Sequence, residues 1–257
     1  MIIDAHVHIG RFIKRFDGGE GDATGDLLRV AERTGITRIC AISLGDRGYI
    51  QYPTPEEFRS ANSHVLEAMR AFPGRVFGYC YVNPQHREES LEEIERCVVD
   101  GGMVAVKFWV AVKASDRRVD PILARVADIG IPVLQHAWYK TTGNLPDESS
   151  PADVADMATR FPTVTIQMAH LHGGGPRGVA DISPCPNVVV DTSGGDPETW
   201  LVEFAVRELG PERVVFGSDA PGRAFGVQLG KVTGAALTKR EREMILYKNM
   251  ERILKLK

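Results

Sequence analysis

Eight short apolar segments alternate with stretches of helical periodicity along the chain, and this alternation restricts the folds open to it. The segments are rich in Val and Ile and mostly continuous, which is typical of strands buried on both faces of a parallel sheet. The predicted strands are residues 2–5, 38–43, 76–82, 103–108, 132–135, 164–169, 188–190 and 214–217.

Helix signals occupy the stretches between these segments. The predicted helices are residues 24–34, 55–71, 88–99, 121–129, 151–160, 197–209 and 239–256. The Gly173-Gly174-Gly175-Pro176 run predicts a short or irregular helix between residues 172 and 183. Eight strands alternating with helices in 257 residues predict an α/β fold, a TIM (β/α)8 barrel that forms a single domain over residues 1–257. A doubly wound open sheet is the rival fold, and the closed barrel suits this length better.

Charge and composition exclude several classes of protein. A formal net charge of −3 indicates no basic surface for nucleic acid, and no apolar run is long enough to predict a membrane span. We expect no targeting segment before the first strand. The four cysteines, Cys40, Cys80, Cys97 and Cys185, form no C-x-x-C pair. The cysteine pattern favours a reduced, cytoplasmic protein.

His6 and His8 lie two residues apart in the first strand pattern, so their side chains point to one face of the strand. Such a pair is a weak signal alone. In a TIM barrel, however, the active site lies at the carboxyl ends of the strands. Later predicted strands end near Lys107, His136, His170 and Asp219. Clustering of so many potential ligands at one mouth predicts a metal site.

The ligand types indicate the metal and its chemistry. Imidazole together with carboxylate suits one divalent ion, Zn²⁺ first, with Mn²⁺, Fe²⁺ or Co²⁺ as alternatives. A catalytic metal keeps one position open, lowers the pKa of bound water to about 7 and polarises a carbonyl. A carboxylate beside that water can take its proton.

Seven stretches, in order along nearly the whole chain, resemble one known family. They are MIIDAHVHIG, GGMVAVKFW, IGIPVLQHAW, IQMAHLHGG, NVVVDTSG, RVVFGSDAPG and NMERILKL. The chain resembles the amidohydrolase superfamily, and within it the amidohydrolase-2 branch that includes 2-amino-3-carboxymuconate semialdehyde decarboxylase and related lactonases. Homodimers are common in that branch, so the resemblance leaves a homodimer open.

The resemblance implies roles for five residues of the cluster. It implies that His6, His8, His136 and Asp219 hold the metal, and that Asp219 also accepts a proton from the bound water. It implies that His170 orients or activates this water.

Lys107 has two interpretations. It falls where binuclear members of the superfamily place a carbamylated lysine that bridges two metals, and His170 would complete that set. Its ammonium group could instead meet the substrate or a nearby carboxylate. We favour the second interpretation, because the resemblance is to a mostly mononuclear branch.

Several other residues are candidates for substrate contacts, each with a structural alternative. Trp109 and Trp138 could form an apolar wall or pack loops onto the rim. Asp191 could bind a substrate hydroxyl, orient a histidine or cap the turn after its strand. Arg223 could bind a substrate carboxylate, as could Arg177.

The remaining histidines and the loops carry weaker signals. His172 follows His170 in AHLHGG, where the family's simpler motif reads AHLGG, and it could line the pocket from a loop. We expect His64 and His86 to be ordinary solvated histidines and Asn249 to bond loop backbone. Substrate choice is expected to depend on the loops at residues 11–23, 45–53 and 140–149.

The sequence therefore predicts a metal-dependent hydrolase that directs a metal-activated water at an amide, lactone or similar carbonyl of a small molecule. The alternative is a metal-dependent, non-oxidative decarboxylase of a small aromatic or unsaturated carboxylic acid, because the branch performs both reactions with the same residues. A metal-free sugar-binding or structural barrel is a third interpretation, which the ligand cluster disfavours.

Overall fold

Eight parallel strands form the centre of the molecule. The computed structural model describes residues 1–15 and 22–256. Each strand pairs in parallel with the next one along the chain, in the order β1 to β8. The strands are β1 Ile3–His8, β2 Arg38–Ile42, β3 Val76–Tyr81, β4 Ala105–Phe108, β5 Val133–Gln135, β6 Ile166–Met168, β7 Val188–Asp191 and β8 Val214–Val215.

Backbone hydrogen bonds join the end of the sheet to its beginning. The amide of Ala5 donates to the carbonyl of Phe216 at 2.9 Å, and the amide of Asp219 donates to the carbonyl of His6 at 2.8 Å. The residues after β8 therefore lie against β1 and complete the ring. The predicted TIM barrel and its strands are confirmed.

Ten α-helices in the described residues follow or precede these strands. They are α1 Thr24–Arg33, α2 Pro55–Ala71, α3 Arg87–Ile94, α4 Asp120–Ile129, α5 Pro151–Arg160, α6 Leu171–Ile182, α7 Leu201–Leu209, α8 Phe225–Thr233, α9 Lys239–Glu243 and α10 Asn249–Ile253. Helices α3 and α9 continue into π-helical turns at Glu95–Asp100 and Met244–Lys248. Short 3₁₀ turns occupy Arg117–Val119 and Pro211–Arg213.

The helices depart from the sequence prediction at two places. The helix predicted from residue 197 begins only at Leu201, because Trp200 has a φ of 69°, which a right-handed helix does not include. Helix α8 was not predicted. Helix α6 is irregular as expected, with non-helical backbone angles at His172 and Gly175.

Successive residues of the strands point alternately outwards and inwards, and they form two apolar layers. Ile39 and Ala41 of β2 point outwards and pack beneath the helices, whereas Cys40 and Ile42 point into the barrel. The same period of two places Ala105 and Leu134 inside the barrel. The interior residue two positions further along each strand then reaches the carboxyl-terminal mouth, and this is where Lys107 and His136 lie.

Several smaller predictions can be compared directly with the structure. His64 is buried and not solvated, because it lies at helical spacing between Ala61 and Ala68 on the face of α2 that packs inwards. His86 is half-buried. Asn249 donates to the carbonyls of Pro211 and Val214, at 2.7 and 2.8 Å, which confirms its backbone-bonding role.

The cysteines, the helix lengths and one loop can also be set against the sequence predictions. All four cysteines are free and buried. None of the helices among residues 1–15 and 22–256 combines the length and apolar character that crossing a membrane requires. Residues 16–21 of the loop expected at 11–23 lie outside the described residues.

Candidate active site at the barrel mouth

Two side chains of β1 and one from the segment after β8 converge at the mouth. The Nε2 atoms of His6 and His8 lie 3.2 Å apart. The Oδ1 atom of Asp219 lies 3.1 Å from Nε2 of His8 and 3.7 Å from Nε2 of His6. Ligands about 2.1 Å from a common metal in tetrahedral or octahedral geometry lie roughly 3.0–3.4 Å from one another. Two of the three separations lie in this range and the third is 0.3 Å longer than its upper bound, so the three atoms can share a divalent metal after a small adjustment.

The protonation of these groups also suits a metal. Burial, opposed by its contact with Asp219, lowers the pKa of His8 to about 4. Burial raises the pKa of Asp219, but hydrogen bonding to His8 and the nearby histidines outweigh it and hold this pKa well below its usual range. Neutral imidazole and ionised carboxylate are the forms that bind metals.

Asp191 forms hydrogen bonds with two histidines of the site, His6 and His170. Its Oδ2 atom accepts from Nδ1 of His6 and from Nε2 of Gln167, both at 3.0 Å. Its Oδ1 atom accepts from the backbone amides of His170 and Ser193, at 3.0 and 3.1 Å, and from the Ser193 hydroxyl. The carboxylate is fully buried and both oxygens are occupied. Of the three roles open to it from the sequence, the geometry matches two, the orientation of a histidine and the capping of the turn after its strand.

His170 lies two residues after the end of β6, with a left-handed backbone (φ 74°). Its Nδ1 atom is 2.8 Å from the Ser193 hydroxyl oxygen, which itself donates to Asp191. The hydroxyl must therefore accept from Nδ1–H, which assigns the unprotonated position to Nε2 of His170. That Nε2 atom lies 3.1 Å from Nδ1 of His136.

His136 is held from behind by Glu148, a residue that the sequence did not single out. Nε2 of His136 donates to Oε1 of Glu148 at 2.8 Å, which leaves Nδ1 unprotonated towards His170. Two lone pairs thus face each other at 3.1 Å, an arrangement that a shared cation or proton would stabilise. Glu148 lies in the 140–149 loop and belongs to no motif, so no local signal identifies it.

Glu148 is an ionised, buried carboxylate. Its side chain is 1% exposed, and its Oε2 atom pairs with Nζ of Lys140 at 2.7 Å. Burial raises its pKa, but hydrogen bonds from His136, Lys140 and the Leu145 amide outweigh burial and lower the pKa to about 2.

Lys107 is a buried ammonium group without a hydrogen-bond partner among the described residues. It is 1% exposed and lies in the lining of the same cavity as the histidines. Burial lowers the pKa of Lys107 to about 8, and the charges of Asp191 and Asp219 oppose this shift. Its charge is thus available to a bound molecule.

The cavity beside the cluster has a volume of about 170 Å³. Besides the charged and imidazole groups, Leu44, Tyr49, Trp109 and Trp138 line it. The Tyr49 ring lies 5.1 Å from that of His8 and 6.1 Å from that of Trp109, centroid to centroid. Tyr49 comes from the 45–53 loop and was not predicted individually. Close packing of Gly173 fixes the Trp138 ring, since a Cβ at Gly173 would lie 2.6 Å from it.

Three candidate residues lie outside this lining. Arg223 is exposed, and Arg177 stacks 4.1 Å over the ring of Tyr139. His172 is buried, and neither of its ring nitrogens has a hydrogen-bond partner in the described part of the chain. The geometry therefore brings together His6, His8, Lys107, His136, His170 and Asp219, with Trp109 and Trp138, but not these three.

Comparison with models of known protein families shows to which family the chain belongs. The amidohydrolase family model matches residues 3–256. The chain belongs to the amidohydrolase family. No curated protein matches its sequence.

Solved structures show the same fold as this amidohydrolase-family chain at low identity. The 5-carboxyvanillate decarboxylase of Sphingomonas paucimobilis has a TM-score of 0.80 and 15% identity, over 100% of this chain and 99% of that chain. A dihydroxybenzoic acid decarboxylase from Polaromonas sp. JS666, with bound manganese and the inhibitor 2-nitroresorcinol, has a TM-score of 0.76 and 18% identity, over 99% and 97%. A candidate 2-pyrone-4,6-dicarboxylic acid hydrolase from Pseudomonas putida has a TM-score of 0.69 and 19% identity, over 99% and 97%.

Proposed function

We propose that the protein is a metal-dependent decarboxylase that releases CO₂ from a small aromatic or unsaturated carboxylic acid. The observation that carries the proposal is the cavity, which places a free buried ammonium group and aromatic walls beside a cluster of metal-binding groups. Two of the three solved structures described above are decarboxylases of aromatic acids, which supports this reaction over the hydrolysis predicted first.

The proposed metal site consists of His6, His8 and Asp219, with His136 as the fourth ligand from across the cavity. When bound, a divalent metal supplies positive charge that binds a substrate oxygen and stabilises developing negative charge. Manganese is a candidate beside zinc, since the Polaromonas decarboxylase holds manganese.

Residues of the chain bind and orient the acid. Tyr49, Trp109 and Trp138 hold a planar ring in a space of about 170 Å³, which limits the substrate to a small molecule. The Nζ atom of Lys107 donates a hydrogen bond to a substrate oxygen. A cation fixed on the departing carboxylate would stabilise the bound acid more than the transition state, so we assign Lys107 to another oxygen substituent.

Decarboxylation breaks the bond between the carboxylate carbon and the ring, and a proton must replace CO₂ on the ring carbon. Asp219 is the acidic group of the cluster that reaches solvent, with 22% of its side chain exposed. Its Oδ1 atom contacts His8, so we assign its Oδ2 atom to the transfer of a proton from solvent to the ring carbon. Nε2 of His170 orients the reacting group from the opposite side.

The test is CO₂ release by the metal-loaded protein from a panel of hydroxylated and carboxylated benzoic acids, with lactones and amides alongside. We expect CO₂ from at least one acid, and at least a 100-fold lower rate for Asp219→Asn, as for the loss of a proton-transfer group. Lys107→Met should raise KM more than it lowers kcat.

Lys113→Met is the matched control, because Lys113 lies in the loop after β4 and is exposed. It should leave both constants unchanged. Hydrolysis of a lactone or amide with no CO₂ from any acid would replace this proposal with the hydrolase function.

A further inference from the structure

We infer that Glu148 is a positioning residue for the metal centre, and that it sets the tautomer of His136 from the loop between β5 and α5. This inference rests on the proposed metal site. The contact that carries it is the 2.8 Å hydrogen bond between Nε2 of His136 and Oε1 of Glu148.

The hydrogen bond determines which imidazole nitrogen is free. A carboxylate only accepts, so Nε2 of His136 carries the proton and Nδ1 presents its lone pair to the cavity. Asp191 and His6 form an equivalent pair. Asp191 accepts from Nδ1 of His6, and the unprotonated Nε2 atom of His6 faces Nε2 of His8. Carboxylates that bond the far nitrogen of a ligand histidine hold its ring in place and raise its basicity.

Glu148 is itself held by a preorganised loop. Its Oε2 atom accepts from the Leu145 amide at 2.9 Å and pairs with Lys140 at 2.7 Å. The side chain of Asn144 donates to the carbonyls of Trp138 and Ser149, at 2.6 and 3.3 Å, which ties the two ends of the loop together. Both carboxylate oxygens of Glu148 therefore have partners, His136 at Oε1 and the loop residues Leu145 and Lys140 at Oε2.

An amide at this position cannot serve all of these partners. A glutamine offers one accepting oxygen, and its NH₂ group would face a donor, either Nε2–H of His136 or the Leu145 amide and Lys140. Glu148→Gln therefore keeps the shape of the side chain but removes one half of its hydrogen bonding.

The experiment measures metal affinity in the full-length protein, by titrating the metal-free form with Mn²⁺ and with Zn²⁺. We expect Glu148→Ala and Glu148→Gln to bind each metal about 10–100-fold more weakly than wild type. Asp147→Asn is the matched control, because it removes one negative charge from the adjacent loop position, where Asp147 contacts Tyr52 and not His136. It should change affinity less than about twofold, within the error of such comparisons.

A second measurement determines the tautomer of His136 directly. Long-range ¹H–¹⁵N NMR of the metal-free wild type should show His136 protonated at Nε2, and Glu148→Ala should lose this single tautomer. Protonation at Nδ1 in the wild type would overturn the inference. Metal affinity in both Glu148 variants equal to that of Asp147→Asn would overturn it equally. Loss of CO₂ release with unchanged metal affinity would count against this inference without touching the proposed reaction.

Discussion

Asp4 and Asp191 are two buried carboxylates of the barrel interior with opposite protonation. Burial raises the pKa of Asp191, but contacts with His6, His170 and Ser193 outweigh it, and its pKa lies well below the usual range. Burial dominates at Asp4 and raises its pKa to about 7, although the Ser218 side chain and the amides of Ser218 and His6 oppose it. Environment, and not residue type, thus decides which carboxylate is ionised.

Asp4 should make stability fall with pH. The folded protein keeps the Asp4 proton up to about pH 7, whereas the unfolded chain releases it near the ordinary value of 3.8. Between these values the folded state binds more protons, so the free energy of unfolding decreases as pH rises. A tenfold change in an equilibrium corresponds to about 1.4 kcal/mol, so the whole change is a few kcal/mol at most.

Urea unfolding of the metal-free wild type and of Asp4→Asn from pH 4 to 7 checks this prediction. The stability of the wild type should decrease relative to that of the variant over this range. A constant difference between the two proteins would show that Asp4 is ionised in the fold.

At the scale of elements, β3 and α2 pack closely because Gly78 has no side chain. A Cβ at Gly78 would lie 2.6 Å from Sδ of Met69, 2.8 Å from Cγ1 of Val65 and 2.9 Å from Cγ of Met103. Helix α2 begins with a capping box formed by Thr54 and Glu57, which sets where the helix starts over the strand.

Gly78→Ala should lower the free energy of unfolding by about 1–3 kcal/mol, since overpacking forces its neighbours to move. Gly230→Ala is the control, because Gly230 is an exposed residue of helix α8 with no atom within 4 Å of an added Cβ. That change should stabilise the protein by about 0.5–1 kcal/mol. Urea unfolding measures both, and equal stability of the two variants would contradict this account of the packing.

At the scale of the whole molecule, the candidate metal site joins the two ends of the barrel. His6 and His8 belong to β1, and Asp219 lies just after β8, where its amide bonds to β1. A metal bound there would connect the first strand to the last, and binding to the folded state alone would stabilise the entire barrel.

Metal should therefore raise the melting temperature. At a free concentration 100 times the dissociation constant, linkage predicts about 2.7 kcal/mol, or roughly 5–10 °C for a chain of this size. His8→Ala should lose this shift, and His86→Ala, in the half-buried loop after β3, should keep it. Thermal unfolding with and without Mn²⁺ provides the measurement, and an unchanged shift in His8→Ala would place the metal elsewhere.

The sequence predicted the barrel well because buried parallel strands are continuous apolar segments, which are visible without any knowledge of their partners. It missed α8, whose two internal glycines lower helix propensity, while packing of Phe225, Leu229 and Val232 stabilises the helix. It also misjudged His64, because the buried face of α2 is defined only when the helix meets the barrel.

By itself, the sequence determined where the strands lie along the chain and placed His6, His8, His136 and Asp219 at or near strand ends, since both depend on local periodicity. Tertiary structure alone decided that Asp191 and Glu148 hydrogen-bond His6 and His136 and that Tyr49 lines the cavity. Those contacts span 185 positions for His6 and Asp191, and 12 for His136 and Glu148. Loop residues reach their partners only after the strands have come together, so no local pattern records them.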